Sequence, residues 1–316
     1  MQIRTFRNGD LPYLHRLWRE HWAELRIDTV TTLRHLEQSV LSRLYFNPEQ
    51  LLVAEVDGIP FGWCQWFESP NDTESVLIPI IVVGHLENPT GRRSVGQKLL
   101  STVIDQFPNG QVIQVGAGDE WEYGYSGLDP VGPGIGIYGQ DTTAKSFLTD
   151  NGFHEDATWE WFRVDVASFR MPVNREFLQL RRSTTVQYGP QVNRNQRFAR
   201  AITHLDARRV ILSDRSGGEL DSLLFYLSEN EVEVMPSNTC MLHLDIETQQ
   251  QGLSTSQVYL VASLIQDAAT HHLRYIDLSI SSINSGMLSD QLRSLQFQQY
   301  ASGSAWVRPA AALQTN

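Results

Sequence analysis

Runs of apolar residues divide the chain into two similar series of predicted helices and strands. The first series has a short strand at 2–7, helices at 11–25 and 31–44, strands at 51–55, 61–67 and 75–83, a helix at 95–107, a strand at 111–115, a helix at 142–151 and a strand at 159–166. The turn Val56-Asp57-Gly58-Ile59 joins two of these strands as a hairpin. The continuous apolar run Ser75–Val83 is typical of a buried central strand. This order predicts a mixed α/β domain with an antiparallel front half.

The second half of the chain repeats this order. It has strands at 184–188, 209–213, 221–227, 239–246, 275–279 and 305–308, and helices at 195–205, 257–269 and 287–295. One helix fewer precedes its first hairpin, and the first half is longer by a Gly- and Pro-rich stretch at 116–139. Two divergent copies of one fold explain the repeat. The sequence therefore predicts domains at 1–168 and 184–316, with a linker at 169–183.

Composition and charge narrow the class of protein. The net charge is −11, which disfavours a nucleic-acid surface, because phosphate neutralisation needs a basic face. Two distant cysteines, Cys64 and Cys240, make no disulfide framework and favour a reducing compartment. The apolar runs are shorter than the ~20 residues that span a bilayer. We therefore expect a soluble cytoplasmic protein without a nucleic-acid or membrane partner, whose oligomeric state the sequence does not indicate.

The negative charge lies in the first half of the chain. Residues 1–168 carry the whole excess of acidic side chains, whereas 169–316 are balanced. A negatively charged surface attracts cations. We therefore expect the partner of the first copy to be cationic, such as a small amine or a peptide amine.

The segment whose residues most indicate ligand binding is Gly91-Arg92-Arg93-Ser94-Val95-Gly96-Gln97-Lys98-Leu99-Leu100. It is predicted to follow a strand and to open a helix, where free backbone N–H groups and the helix dipole favour an anion. Small residues at 94 and 96 allow close approach to the main chain, and two arginines add positive charge. An ordinary strand-to-helix turn would have the same local composition. The segment is a phosphate-loop candidate.

In its order of elements and in this loop, the chain resembles the GNAT superfamily of N-acetyltransferases. Their acetyl-CoA loop runs Gln/Arg-x-x-Gly-x-Gly/Ala before a helix with paired leucines. Gly91 stands where Gln or Arg is usual, Ser94 replaces the first glycine, Gly96 keeps the second, and Leu99-Leu100 match. The segment 141–153 resembles the last helix of that family, which ends in Gly-Phe. The segments 249–254 and 288–297 resemble the same two motifs faintly.

The resemblance implies two tandem acyl-CoA N-acyltransferase domains, with acetyl-CoA as co-substrate and no metal. Strand 75–83 would polarise the acetyl carbonyl through its backbone, and the loop would hold the pyrophosphate. The cofactor-binding residues implied are Ile81, Val82, Val83, Gly91, Arg92, Arg93, Ser94, Val95, Gly96, Gln97 and Asp141. The neighbouring His271 and His272 lack the spacing of a metal site.

The tyrosine that usually donates a proton in this family is absent from both copies. Its positions hold Leu148 and Leu292. An acidic, tyrosine-rich loop after strand 111–115 offers substitutes. Glu120 is the candidate base, because neighbouring Asp119 and Glu122 raise a carboxylate's pKa. Tyr123 and Tyr138 are the candidate acids. A solvated loop packed down by tyrosines is the alternative interpretation.

Two hypotheses follow from these residues. The first is an N-acetyltransferase that moves an acetyl group to a primary amine, with its active site in 1–168 and a degenerate second copy. The second is a non-catalytic acyl-CoA-binding or scaffolding protein, which the missing tyrosines favour.

Overall fold

The chain forms two compact units. The computed structural model describes residues 1–43, 46–68, 75–86, 89–107, 111–116, 125–191, 202–228, 235, 238–282 and 286–310. Unit 1 comprises Met1–Thr158 with Gly303–Asn316, and unit 2 comprises Trp159–Ser302. This division differs from the domains at 1–168 and 184–316, which stay a prediction about sequence copies.

Unit 1 is a mixed sheet with helices on its faces. Its strands are β1 (Gln2–Thr5), β2 (Leu51–Val56), β3 (Ile59–Glu68), β4 (Ser75–Val83), β5 (Val112–Val115) and β6 (Ile137–Tyr138), and its helices are α1 (Leu11–Glu24), α2 (Leu33–Leu36), α3 (Pro89–Ile104) and α4 (Thr142–Asp150). Strands β1 to β4 pair antiparallel in chain order, and β4 pairs parallel with β5. The end of β13 (Gln298–Arg308) pairs antiparallel with β5 and β6.

The helices of unit 1 pack closely on the sheet. Helix α1 buries one stripe of side chains: Leu14, Leu17, Trp18, His21 and Trp22. A Cβ on Gly62 of β3 would lie 2.7 Å from Val95 Cγ1 of α3, and one on Gly84 would lie 2.4 Å from Leu17 Cδ2 of α1. Carbon atoms normally pack at 3.5–4.0 Å. Glycine at 62 and 84 therefore lets α3 and α1 approach the sheet.

Unit 2 has the same kind of sheet. Its strands are the end of β7 (His154–Asp165), β8 (Thr184–Pro190), β9 (Leu205–Asp214), β10 (Glu219–Ser228), β11 (Thr239–His243) and β12 (Tyr275–Ser281), and its helices are α5 (Arg175–Ser183), α6 (Ile246–Gln251), α7 (Thr255–Ala268) and α8 (Gly286–Ser294). Strands β8 to β11 pair antiparallel, β11 pairs parallel with β12, and β12 pairs antiparallel with β7. Helix α7 supplies much of the core.

Most predicted elements are confirmed, and two of the differences concern where a helix begins. Helix α3 begins at Pro89, not at the predicted Val95, because proline suits the first helical turn. The strand predicted to end at Ile246 ends at His243. Asp245 then starts α6 by accepting the Thr248 N–H at 2.7 Å.

Two further predictions differ from the structure. The predicted linker 169–183 contains α5, which Asn174 caps by accepting the Phe177 N–H at 2.7 Å. The helix predicted over 31–44 is a single α-helical turn followed by a π-helix at Glu37–Leu41. Most of the helix predicted over 195–205 lies outside the described residues, and Leu205 belongs to β9.

Candidate active site in unit 1

The candidate site lies where β4 extends beyond its pairing with β5. The parallel pairing runs from Ser75 to Ile78, and the Gly116 N–H donates to Ile78 O at 2.9 Å. β4 continues to Val83, and within the described residues this last part pairs only with β3. Its other edge is therefore available for hydrogen bonds to a ligand.

The N–H groups on this edge can be identified from the strand's alternation. The Gly84 N–H donates to Phe61 O at 2.9 Å, towards β3. The Val83 N–H points the other way and donates to His21 Nδ1 at 3.4 Å. Because successive residues of a strand alternate in direction, the Ile81 N–H also points away from β3. Of the predicted Ile81, Val82 and Val83, Ile81 thus offers an N–H on the edge, whereas that of Val83 already has a partner.

A pocket lies against this edge. Its enclosed part measures about 40 Å³, and the space reaches about 660 Å³ when the open mouth is included. Helix α1 and β4 form one side, and the segment 125–138 forms the other. The lining residues are His21, Trp22, Leu25, Pro79, Ile80, Ile81, Tyr125, Ser126, Val131, Gly134, Gly136, Ile137, Tyr138 and Asp141. The pocket thus has aromatic and aliphatic walls with two ionisable groups, His21 and Asp141, besides the tyrosines.

His21 and Asp141 are both buried. Burial lowers the pKa of His21, the nearby Arg92 charge lowers it further, and the Asp141 carboxylate opposes both. His21 is therefore neutral at pH 7. Its Nδ1 accepts the Val83 N–H, so its proton is carried on Nε2. Asp141 caps α4, its Oδ1 accepting the Ala144 N–H at 2.9 Å, and among the described residues its Oδ2 has no hydrogen-bond partner.

A second charged group lies where α1 approaches the start of α3. Arg92 is buried and pairs through Nη1 with Glu24 Oε2 at 3.3 Å. Glu24 also contacts His85 Nδ1, and this hydrogen bond, together with the Arg92 charge, lowers the pKa of Glu24. The Nε of Arg92 is buried and has no hydrogen-bond partner among the residues that the structure describes. An unsatisfied buried guanidinium N–H can donate to a phosphate or a carbonyl.

The rest of the predicted phosphate loop lies inside α3. Residues 91–97 are helical, so their later N–H groups are used within the helix. Gly96 packs against α4, since a Cβ there would lie 2.5 Å from Phe147 Cε1. Arg93 is exposed and pairs with Asp150. Arg92 is thus the residue of this segment that is buried and charged, and the binding roles of Gly91, Ser94, Val95, Gly96 and Gln97 stay predictions.

The candidate catalytic residues have different outcomes. Glu120 and Tyr123 lie outside the described residues. Tyr138 lines the pocket, where its hydroxyl donates to Pro130 O at 2.5 Å. Leu148 and Leu292 are fully buried in the cores of their units, where neither side chain can exchange a proton.

His21 was missed by the sequence analysis. It lies on the buried stripe of α1, three residues after Trp18 and one before Trp22. A histidine on the apolar face of the first helix was the available signal. Its proximity to Asp141 depends on the fold and is not visible in the sequence.

In the second copy, side chains of unit 2 occupy the corresponding loop. The Gln249 amide donates to Leu244 O and accepts the Ser281 N–H, both at 2.9 Å. The Gln291 amide accepts the Leu253 N–H and donates to Leu253 O, both at 2.8 Å. The Ser254 N–H donates to Gln257 Oε1 at 2.9 Å. The Leu253 and Ser254 N–H groups of this loop are therefore already bound.

Among the described residues, three or more His, Cys, Asp or Glu side chains are nowhere grouped so that they could hold a metal ion. No helix in the described part of the chain is long and apolar enough to cross a membrane.

Solved structures with the same architecture are GCN5-related N-acetyltransferases (GNAT). A GNAT region of a fungal multi-domain β-N-acetylglucosaminidase superposes with a TM-score of 0.64 at 12% identity, over 97% of this chain and 38% of that one. The present chain thus spans 38% of that protein's length. A GCN5-related N-acetyltransferase from Sphaerobacter thermophilus gives a TM-score of 0.60 at 11% identity, over 100% and 98% of the two chains. The fold is therefore that of the GNAT superfamily.

One of the similar solved structures is a tandem GNAT protein. A tandem GNAT protein from the clavulanic acid biosynthesis pathway superposes with a TM-score of 0.60 at 11% identity, over 98% of both chains. The chain has a tandem GNAT fold, as the sequence resemblance implied. At sequence level, no family model and no curated protein matches it.

Proposed function

We propose that unit 1 is an acetyl-CoA-dependent N-acetyltransferase that acetylates a primary amine. The observation that carries this proposal is the free edge of β4, with the Ile81 N–H beside a pocket that contains Asp141 and His21. An amide N–H next to an ammonium-binding carboxylate is what acyl transfer to an amine requires.

The cofactor would lie along the free edge of β4 towards the start of α3. Ile81 would donate its N–H to the acetyl carbonyl, and Arg92 would donate its unsatisfied Nε–H to the pyrophosphate or a pantetheine carbonyl. The orphaned Nε of Arg92 supports this fit, because it leaves a buried donor for a ligand oxygen. Acetyl-CoA supplies a thioester carbonyl that is open to nucleophilic attack.

Each pocket residue then has one task. Asp141 binds the ammonium of the acceptor and takes one proton, which leaves a neutral amine. The Ile81 N–H stabilises negative charge on the carbonyl oxygen while the C–N bond forms and the C–S bond breaks. The second proton of the nitrogen goes to the thiolate, so the products are an N-acetylated amine and CoA thiol. His21 presents its Nε2–H in the same pocket, and Tyr138 closes one wall.

The test separates catalysis from binding. We expect Asp141→Asn to lower turnover by ~100-fold, the usual scale for a general base, with the acetyl-CoA Kd unchanged in calorimetry. Asparagine keeps the oxygen that caps α4. Asp245→Asn is the matched control, because Asp245 caps α6 of unit 2 in the same way. Turnover of Asp141→Asn equal to that of the control would exclude the assignment.

The binding-only alternative has one observation in its favour, the buried Leu148 where the family has a tyrosine. Tight acetyl-CoA binding without thiol release for any amine would establish it. The cytoplasmic location expected from the two cysteines, which are free and buried in the structure, stays part of this proposal.

A further inference from the structure

A larger cavity lies in unit 2, between the last turn of α7 and the sheet. Its enclosed part measures about 430 Å³, against about 40 Å³ for the pocket of unit 1, and the space reaches about 1190 Å³ with the open mouth. Strands β8, β9 and β10 form most of one side, and the end of α7 with the segment after it forms the other. Small-molecule sites usually measure about 300–1,000 Å³. The cavity is therefore large enough for an organic ligand.

This cavity is separate from the loop 249–254 of the second copy. The loop comes directly before Thr255, the first residue of α7, whereas Asp267 and Ala268 in the last turn of that helix line the cavity. Because a helix rises about 1.5 Å per residue, the two ends of α7 lie about 20 Å apart. A ligand in the cavity would thus lie at the opposite end of α7 from the loop that resembles a cofactor site.

The inner walls of the cavity are apolar. Phe225, Leu264 and Ala268 are buried, and Leu227 and Leu273 pack partly buried against the same core. A ligand that covered these side chains would remove apolar surface from water, which favours binding. The cavity therefore suits a molecule with an apolar body.

Charged groups line the mouth of the cavity. Arg208 and Asp206 neutralise each other, since Arg208 Nε donates to Asp206 Oδ2 at 2.7 Å. Asp267 Oδ2 accepts the Tyr188 hydroxyl at 2.7 Å, and this neutral donor leaves the charge of Asp267 uncompensated within the described part of the chain. The end of a helix, where Asp267 lies, also favours a cation through the helix dipole. His271 follows this turn and is exposed. The mouth thus favours a positive charge beside Asp267.

We propose that the cavity of unit 2 binds a small organic amine. The ammonium donates to Asp267 Oδ1, and the apolar body lies against Phe225, Leu264 and Leu273. Hydrogen bonds between an ammonium and a carboxylate are stronger than those between neutral groups, which makes Asp267 the main polar contact. Unit 2 thus has a ligand site of its own, although Gln249 occupies its cofactor loop. This site does not depend on the function proposed for unit 1.

The first experiment varies the charge of the ligand on one ring. The probes are benzylamine, benzyl alcohol and benzoate, titrated against the full-length protein and followed by ligand NMR. We expect benzylamine to bind at least ~10-fold more tightly than benzyl alcohol, because it can make a charged hydrogen bond, and benzoate to bind most weakly. Benzyl alcohol or benzoate binding as tightly as benzylamine would overturn the proposal, as would the absence of benzylamine binding.

The titration is repeated with Asp141→Asn, which removes the ammonium site proposed for unit 1. Benzylamine should still bind to this variant. Binding to the parent but not to Asp141→Asn would assign the amine to unit 1, which would overturn this inference and leave the proposed N-acetyltransferase function intact. Benzylamine binding with no thiol release from acetyl-CoA for any amine would reject that function and support the site in unit 2.

The second experiment locates the site with variants of the cavity. Asp267→Asn keeps the side-chain size and an oxygen for the Tyr188 hydroxyl, and we expect it to weaken benzylamine binding at least ~10-fold. Asp290→Asn is the matched control, because Asp290 is an exposed carboxylate of α8 outside the cavity, and it should leave the Kd unchanged. Ala268→Leu adds volume at the cavity wall and should weaken benzylamine without changing any charge.

The urea midpoint of each variant shows whether the comparison is made on folded protein. An unchanged benzylamine Kd in Asp267→Asn, or an equal loss in Asp267→Asn and Asp290→Asn, would show that the amine does not bind in this cavity. The charge series on the parent protein and on Asp141→Asn tests the proposal if a cavity variant does not fold.

Discussion

Replacing Gly96 by alanine tests whether this glycine serves packing or phosphate binding. An added Cβ would lie 2.5, 2.9 and 3.0 Å from three ring atoms of Phe147. These distances are shorter by about 0.5–1.5 Å than ordinary carbon contacts. Phe147 is only 2% exposed, so its ring has little room to move.

Two opposing effects determine the magnitude. Gly→Ala in a helix interior normally stabilises by about 1 kcal/mol. Overpacking a filled core normally costs about 1–3 kcal/mol. Because the contacts at Gly96 are far inside normal packing distance, we expect overpacking to dominate, with a net loss of about 1–2 kcal/mol.

Gly91 in the same helix is the matched control. A Cβ there would lie 3.3 Å from Leu86 Cδ1, the end of a side chain that can shift. We expect Gly91→Ala to be neutral or slightly stabilising in urea unfolding. Gly96→Ala combined with Phe147→Leu should recover part of the loss, because leucine lacks the ring edge. The acetyl-CoA affinity of folded Gly96→Ala should equal that of the parent.

Two results would refute this reasoning. Equal stability changes for the two alanine variants would show that α4 does not restrict Gly96. A loss of acetyl-CoA affinity without a loss of stability would return Gly96 to the phosphate loop that the sequence motif predicts.

Three further predictions concern binding and pH. We expect Arg92→Ala to weaken acetyl-CoA binding at least ~10-fold in calorimetry, because losing a charged hydrogen bond costs about 1.5–3 kcal/mol. Arg93→Ala should weaken it less than ~2-fold, because Arg93 is exposed, whereas Arg92 is buried and its Nε has no partner among the described residues. Calorimetry should also give one acetyl-CoA per chain, since Gln249 and Gln291 occupy the loop of the second copy. Burial lowers the pKa of His21 in the folded state, so the unfolded state takes up this proton first as pH falls below the unfolded pKa of about 6.5. The melting temperature should therefore fall between pH 7 and 5, and His21→Gln should reduce that fall.

Each of these has a contrary outcome. Equal effects of the two arginine substitutions would show that surface charge alone binds the cofactor. Two equivalent sites per chain would mean that a ligand displaces the two glutamine side chains. The same pH dependence in parent and His21→Gln would assign the acid sensitivity to other groups.

The sequence alone was sufficient for the tandem fold and for most elements of both units. Apolar periodicity depends on local chain geometry, so β4 at Ser75–Val83 and the hairpin of β2 and β3 could be read directly. Two helix starts were not predicted, because each depends on a single residue: proline at 89 suits the first helical turn, and Asp245 caps α6. The resemblance to the GNAT loop correctly indicated the fold, although Gly96 itself contacts Phe147.

Only the tertiary structure decided which side chains form the candidate site. His21, Ile81, Arg92 and Asp141 are far apart in sequence and come together because α1, β4, α3 and α4 pack around one strand edge. Asp129 likewise accepts hydrogen bonds from Thr29 and Val30, about a hundred positions earlier, and the sequence pattern does not show these contacts. Local propensity specifies helices and strands, whereas burial and hydrogen bonding between distant segments are properties of the folded chain.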